Sequence, residues 1–316
     1  MVEMAVESHQ LSKRYGDTLA VAGLDLRVQT GTVLGFLGPN GAGKTTVIRM
    51  LSTILDPDGG SFSVAGVPGT DRDAVRERIG VLPESAGYPR QQTGREWLTY
   101  HGQLFGRSHD AARAAADDWL HEVGLAERGS ALIDTYSRGM RQRLGIARAL
   151  IHDPQVIFLD EPTLGLDPAG QRQILALVSR IAGQRGVTVV FSSHLLAEVE
   201  EICQRVLILN QGRVAAEGTV ADVVRTAAAP RTAVVQVRGD AADRAVEVLT
   251  AAGFTVDRSD ARGAGAVVVE LDAAEPSGVK TAQLLSALVD ADLAVLGLEI
   301  EGGRLSDAFL TLTSPS

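Results

Sequence analysis

Two groups of residues in this sequence have the types and spacing that phosphate chemistry needs. The first is Gly38-Pro39-Asn40-Gly41-Ala42-Gly43-Lys44-Thr45-Thr46, which follows the apolar run Val33-Leu34-Gly35-Phe36-Leu37 and precedes the helical pattern of residues 47–51. Strand, glycine loop and helix in that order match a phosphate-binding P-loop. Its glycines let backbone N–H groups approach a β-phosphate, its lysine reaches the β and γ oxygens, and the following hydroxyl takes Mg²⁺. Lys44 is then the phosphate lysine and Thr45 the magnesium ligand, with Gly38, Asn40, Gly41, Ala42, Gly43 and Thr46 completing the cradle. A glycine-rich turn with an unrelated lysine is the bland alternative, and the flanking strand and helix speak against it.

The second group is Asp160-Glu161, which ends the fully apolar run Val156-Ile157-Phe158-Leu159. Once a P-loop holds a nucleotide, adjacent carboxylates at a strand end are what hydrolysis requires. The aspartate can hold the Mg²⁺ shell while the glutamate orients and deprotonates the attacking water. Without the P-loop, an acidic turn before Pro162 would explain the pair equally well. Tyr15 lies at a turn upstream of the P-loop. Its ring can stack on a nucleotide base or simply cap a sheet, and both readings stay open.

These residues need elements to hold them. Residues 4–28 read as two strands around Gly16-Asp17, with Val6, Leu11, Leu19, Val21, Leu24 and Leu26 apolar. Residues 61–66 and 79–84 read as short strands. Residues 93–123 follow a helical pattern, with Trp97, Leu98, Leu104, Trp119, Leu120 and Val123 inward. Ser137 is a good N-cap for a helix whose apolar face runs from Leu144 to Ile151. Pro168 opens a helix to about Ala182, 187–191 is a second buried strand ending at Ser192-Ser193-His194, and 206–216 is a hairpin through Asn210-Gln211-Gly212. Arg225-Thr226-Ala227-Ala228-Ala229-Pro230 reads as a linker. Beyond it come strand 232–238, helix 240–252, strands 254–258 and 265–271, helix 277–290 and strand 293–300, a β-α-β-β-α-β, ferredoxin-like order. A short helix with Leu305, Phe309 and Leu310 ends the chain. The expected architecture is α/β: a cassette over residues 1–225 and a small α+β domain over 226–316.

With 316 residues, 45% hydrophobic and 22% charged, the chain has the composition of a soluble two-domain protein. No stretch approaches the roughly 18 apolar residues of a membrane span, and the N-terminus does not begin like a signal peptide. Cys203 is the single cysteine, which excludes an internal disulfide and a cysteine zinc cluster and points to the cytosol. The net charge is −9, and residues 230–316 carry 7 basic against 13 acidic side chains. An acidic tail repels phosphate backbones, so nucleic acid is not the expected partner.

Tyr136-Ser137-Arg138-Gly139-Met140-Arg141-Gln142, shortly before the strand carrying Asp160-Glu161-Pro162, resembles the signature of ABC transporter ATP-binding subunits. The resemblance covers roughly residues 3–225, and the family's parts follow in its order. These are an adenine-stacking aromatic (Tyr15), the P-loop (38–46), a Q-loop, the signature, the magnesium-and-base strand, the D-loop (Leu166-Asp167) and the switch histidine (His194). The resemblance implies ATP and Mg²⁺ as ligands, Glu161 as catalytic base, and Lys44 and the switch histidine His194 as further catalytic residues. It also implies that Ser137 and Gly139, at a helix start where N–H groups attract an anion, close over the γ-phosphate held by a second copy. One P-loop and one signature per chain then mean a homodimer. A separate integral membrane permease is the implied second partner, met around residues 84–105 at the cytoplasmic face of the membrane.

Two positions depart from the family pattern. Arg138 stands where glycine is common, and Glu84 stands where the Q-loop glutamine is expected; a carboxylate there can still hold Mg²⁺ directly or through water. Residues 303–313 resemble the ending of the daunorubicin-resistance group, which implies export of a drug-like or lipid-like amphipathic compound. Two rival readings remain: a soluble mechanochemical ATPase acting on nucleic acid or ribosomes, and a nucleotide-binding regulator with little turnover. The acidic tail, the lack of a second cassette and the lack of a long coiled-coil insertion argue against the first. Arg138 is the only support for the second.

Overall fold

The computed structural model describes residues 3–227, 231–258, 265–271 and 279–314. Contacts divide the chain into two compact units, Met1–Val220 and Ala221–Ser316.

The first unit opens with strands β1 (Met4–Tyr15) and β2 (Thr18–Gln29), paired antiparallel around Gly16-Asp17. Then come β3 (Val33–Leu37), helix α1 (Lys44–Leu51), β4 (Gly59–Val64), β5 (Val67–Pro68), α2 (Arg72–Arg76) and β6 (Ile79–Leu82). Two helices follow, α3 (Gly94–Leu104) and α4 (His109–Glu122), and then α5 (Arg138–Leu150), β7 (Val156–Asp160), α6 (Pro168–Arg185), β8 (Thr188–Ser192), α7 (Leu196–Ile202), β9 (Arg205–Asn210) and β10 (Arg213–Thr219). β2-β1-β4-β5 form an antiparallel sheet. β10-β9-β3-β8-β7-β6 form a second, parallel except for the β9–β10 hairpin. Every residue of β3, β7 and β8 is buried, as their unbroken apolar runs require of strands covered on both faces. One core joins the two sheets through α1, with Val6, Leu24, Val47, Met50, Phe36 and Phe158 among its members.

The consequence for the site is directional. β3, β7 and β8 are parallel neighbours, so the residues that follow them emerge on one edge of the sheet: the P-loop after β3, Glu161 after β7 and Ser193-His194 after β8.

Several expectations need correction. The helical pattern over 93–123 is two helices, broken where Gly106 turns left-handed (φ 82°) and Ser108 caps the next helix through the Ala111 N–H. Both tryptophans are core residues as expected, but Leu104 is 61% exposed because it falls in the last turn before that break. Leu19 is 38% exposed beside the β1–β2 turn. α6 continues three residues past Ala182, to Arg185, and ends on left-handed Gly186.

Gly80 shows how tightly α5 is seated. A Cβ there would lie 1.9 Å from the carbonyl oxygen of Ala149, a backbone atom that cannot swing aside. Gly80→Ala is therefore expected to destabilise the first unit by about 1–3 kcal/mol, read as a lower urea midpoint at unchanged slope. An unchanged midpoint would mean that α5 is free to shift.

In the second unit, α8 (Val220–Ala227) is followed by β11 (Arg231–Val237), α9 (Ala242–Ala251), β12 (Val256–Arg258), β13 (Ala266–Leu271), α10 (Val279–Asp290), β14 (Val295–Glu301) and α11 (Leu305–Thr313). The antiparallel sheet has the order β12-β13-β11-β14, the split β-α-β arrangement. Ala233, Val235, Val267 and Val269 pack on Leu249, Leu284 and Leu288. The expected linker is helical as far as Ala227, since Arg225 pairs with Asp222 and alanine favours helix. Ala228, Ala229 and Pro230 lie outside the described residues, as do the first two residues of the expected helix 277–290.

Candidate active site

The P-loop geometry follows from its glycines. Gly43 caps α1 in a left-handed conformation (φ 106°), and a Cβ on it would meet the Ala20 carbonyl oxygen at 2.5 Å. α1 has no side-chain cap, so its first N–H groups are left to an anion. Gly212 ties the loop to its surroundings: its N–H donates to the Ala42 carbonyl and its own carbonyl accepts from Ala22. Lys44 is buried and donates to the Gly38 carbonyl at 2.6 Å, with Pro39 at 3.4 Å. Burial pulls its pKa below the usual lysine value, while Glu161, Asp160 and Glu84 oppose that shift. Thr45 and Thr46 are half-buried in the first turn of α1, and Asn40 and Gly41 are exposed on the loop.

Glu161 has a backbone φ of 50°, a left-handed conformation that costs energy in a residue with a side chain. Its N–H donates to Ser192 Oγ at 3.0 Å, and Ser192 Oγ donates in turn to Asp160 Oδ1 at 2.6 Å. One buried serine thus holds the backbone of one carboxylate and the side chain of the other. His194 Nδ1 lies 2.7 Å from Glu161 Oε2. A carboxylate only accepts, so Nδ1 carries the proton and Glu161 Oε1 is left for a water.

The remaining predicted residues lie outside this hydrogen-bonded cluster. Ser137 caps α5 by accepting from the Met140 N–H at 3.2 Å. Gly139 faces the turn after β7, where a Cβ would be 3.8 Å from Leu166 Cδ2. Arg138 lies over the same turn: a Cβ on Gly165 would be 2.6 Å from its Cζ. Asp167 caps α6 through the Gly170 N–H, ahead of Pro168. Tyr15 is 46% exposed at the end of β1, and Glu84 is exposed just after β6. The sequence reading missed Ser192, Thr163, Ser193 and Glu198. Polar residues directly after a buried strand were the one available signal.

The donor set fits Mg²⁺. The Thr45 hydroxyl opens α1 directly after the loop, and one Asp160 oxygen is taken by Ser192 while the other is a hard oxygen donor; Mg²⁺ typically takes one or two protein oxygens beside substrate phosphates.

The ABC transporter family model matches residues 21–164. The daunorubicin resistance ATP-binding protein DrrA3 of Streptomyces coeruleorubidus is 40% identical over 99% of this chain and 97% of its own. The linearmycin resistance ATP-binding protein LnrL of Bacillus subtilis is 36% identical over 69% of this chain and 70% of its own. Among solved structures, cbiO1 from Clostridium perfringens, part of the ABC transporter complex cbiONQ, superposes with a TM-score of 0.64 at 26% identity, covering 71% of this chain and 92% of that one. Sequence, fold and site agree: this chain belongs to the ATP-binding proteins of the ABC transporter family, whose activity is ATP hydrolysis.

Proposed function

We propose that this chain is the motor subunit of an exporter: two copies close on ATP, hydrolyse it, and drive an amphipathic drug-like or lipid-like compound through a separate membrane permease. The observation that carries the hydrolytic part is the hydrogen-bonded cluster of Asp160, Glu161, Ser192 and His194 at strand ends facing Lys44.

In this reading the P-loop N–H groups and Lys44 grip the phosphates. Thr45 and Asp160 would hold Mg²⁺, which would supply charge neutralisation at the phosphates. Glu161 takes the proton of the attacking water on Oε1, while His194 and Ser192 fix the carboxylate and its backbone. Ser137 and Gly139 lie at the start of α5, beside the turn at Gly165-Leu166, and serve the ATP of the second copy. Tyr15 stacks on the base. The cassette ends near residue 225, and the second domain is an accessory to it.

Export is supported by the resistance proteins named above, and a separate permease by the absence of any helix long and apolar enough to cross a membrane among the described residues. The permease face is the groove between β6, α3 and α5, lined by Ile54, Leu104, Phe105, His101, Arg76 and Arg148. Its exposed apolar side chains, Ile54 at 63% and Leu104 at 61%, are what a docked helix would cover.

Affinity purification of the full chain from detergent-solubilised membranes tests the proposal. Recovery of an integral membrane protein, with ATPase activity raised by an amphipathic compound, is the expected result. Recovery of RNA or DNA without a membrane protein would overturn it in favour of a nucleic-acid motor.

A further inference from the structure

The segment that carries His194 is anchored from behind by a buried carboxylate that has no place in the reaction described above. Glu198, in the first turn of α7, is 5% exposed. Its Oε2 accepts from Ser193 Oγ at 2.6 Å and from Thr163 Oγ1 at 2.9 Å. Ser193 Oγ also accepts from the Leu195 N–H at 2.9 Å. The other oxygen of Glu198, Oε1, is buried with no hydrogen-bond partner among the described residues. Burying a carboxylate that is only half satisfied is costly, so the fold keeps it against that cost.

The two donors are informative. Thr163 lies two residues after Glu161 in the segment leaving β7, and Ser193 lies one residue before His194 in the segment leaving β8. A single oxygen therefore ties together the two segments whose tips, Glu161 Oε2 and His194 Nδ1, must meet at 2.7 Å. Three consecutive residues at the end of β8 divide the work. Ser192 holds the Glu161 backbone, Ser193 reaches Glu198, and His194 reaches the Glu161 side chain.

We infer that Glu198 is a positioning residue for hydrolysis, a buried clamp that sets the Glu161–His194 geometry without touching nucleotide. The inference rests on Glu161 being the base. Because the clamp works by reach, the length of the side chain matters more than its charge. Glutamine keeps an oxygen at the same distance between the two hydroxyls; aspartate keeps the charge but falls one methylene short. Displacements of about 1 Å at a catalytic group can lower turnover by about 100-fold.

The test measures ATP turnover, affinity for a fluorescent ATP analogue and thermal midpoint in full-length Glu198→Gln, Glu198→Asp and Glu198→Ala, beside Glu161→Gln. The expected order places Gln within about threefold of the parent kcat, and Asp and Ala about 10- to 100-fold below it, with nucleotide affinity within about twofold throughout. Should Glu198→Ala not fold, the comparison of Gln with Asp decides. Equal loss in Gln and Asp, a parallel fall in affinity, or full activity in Asp would overturn the clamp. Full activity in Glu161→Gln would instead remove the base on which it acts.

Discussion

Glu161→Gln is expected to lower ATP turnover by about 10²- to 10⁴-fold, the range for losing a positioned general base, while leaving ATP binding within a few-fold of the parent. The two halves of that expectation come from different parts of the structure. Glutamine is isosteric, and its side-chain oxygen can still accept from His194 Nδ1, so the local hydrogen bond of 2.7 Å and the arrangement behind it survive. What it cannot do is take a proton from water. With the chemical step blocked and the phosphates still held by Lys44 and the P-loop, two copies should remain closed on ATP, and gel filtration with light scattering should show a dimer that the parent chain forms only transiently. Turnover within tenfold of the parent would place the base elsewhere. A monomer at saturating ATP would overturn the shared-site reading of Ser137 and Gly139.

Lys44→Ala is expected to act one step earlier, weakening ATP binding by at least about 100-fold, or about 2.7 kcal/mol. Charge-assisted hydrogen bonds contribute about 1.5–3 kcal/mol each, and a P-loop lysine reaches two phosphates. A second effect adds to the loss. Asp160, Glu161 and Glu84 all act on the Lys44 ammonium, so its removal leaves these carboxylates facing the phosphates without a compensating cation. The loss should therefore be partly recovered as magnesium is raised. Titration calorimetry with a non-hydrolysable ATP analogue measures both, and affinity within threefold of the parent would remove Lys44 from the site.

The residues proposed for the chemistry stand out in the local sequence because each depends on its neighbours in the chain. Glycines at 38, 41 and 43 permit a loop that L side chains disfavour, Lys44 opens the next helix, and a short unbroken apolar run ending in Asp160-Glu161 suits a buried strand delivering carboxylates to its end. The alternation of strands and helices in the second domain was legible for the same reason. Its sheet order then followed from the β-α-β-β-α-β sequence of elements.

Other features were decided across space. Leu104 looks like a core leucine by period and is exposed, because the break at Gly106 ends its helix; the first three residues of the expected linker are helical, because Asp222 and Arg225 meet on one face. Arg138 stands where glycine is common, and only the folded chain shows its guanidinium lying over Gly165.

The sequence by itself determined which atoms are available for phosphate chemistry and which strands and helices carry them, since backbone preference and hydrophobic period act over a few residues. Only the tertiary structure decided which atoms meet. Ser192 reaches Asp160 across 32 positions, and Glu198, which holds Ser193, reaches Thr163 across 35, because parallel strands place distant segments side by side at one edge of a sheet. Burial then makes each of those hydrogen bonds strong enough to hold a catalytic geometry.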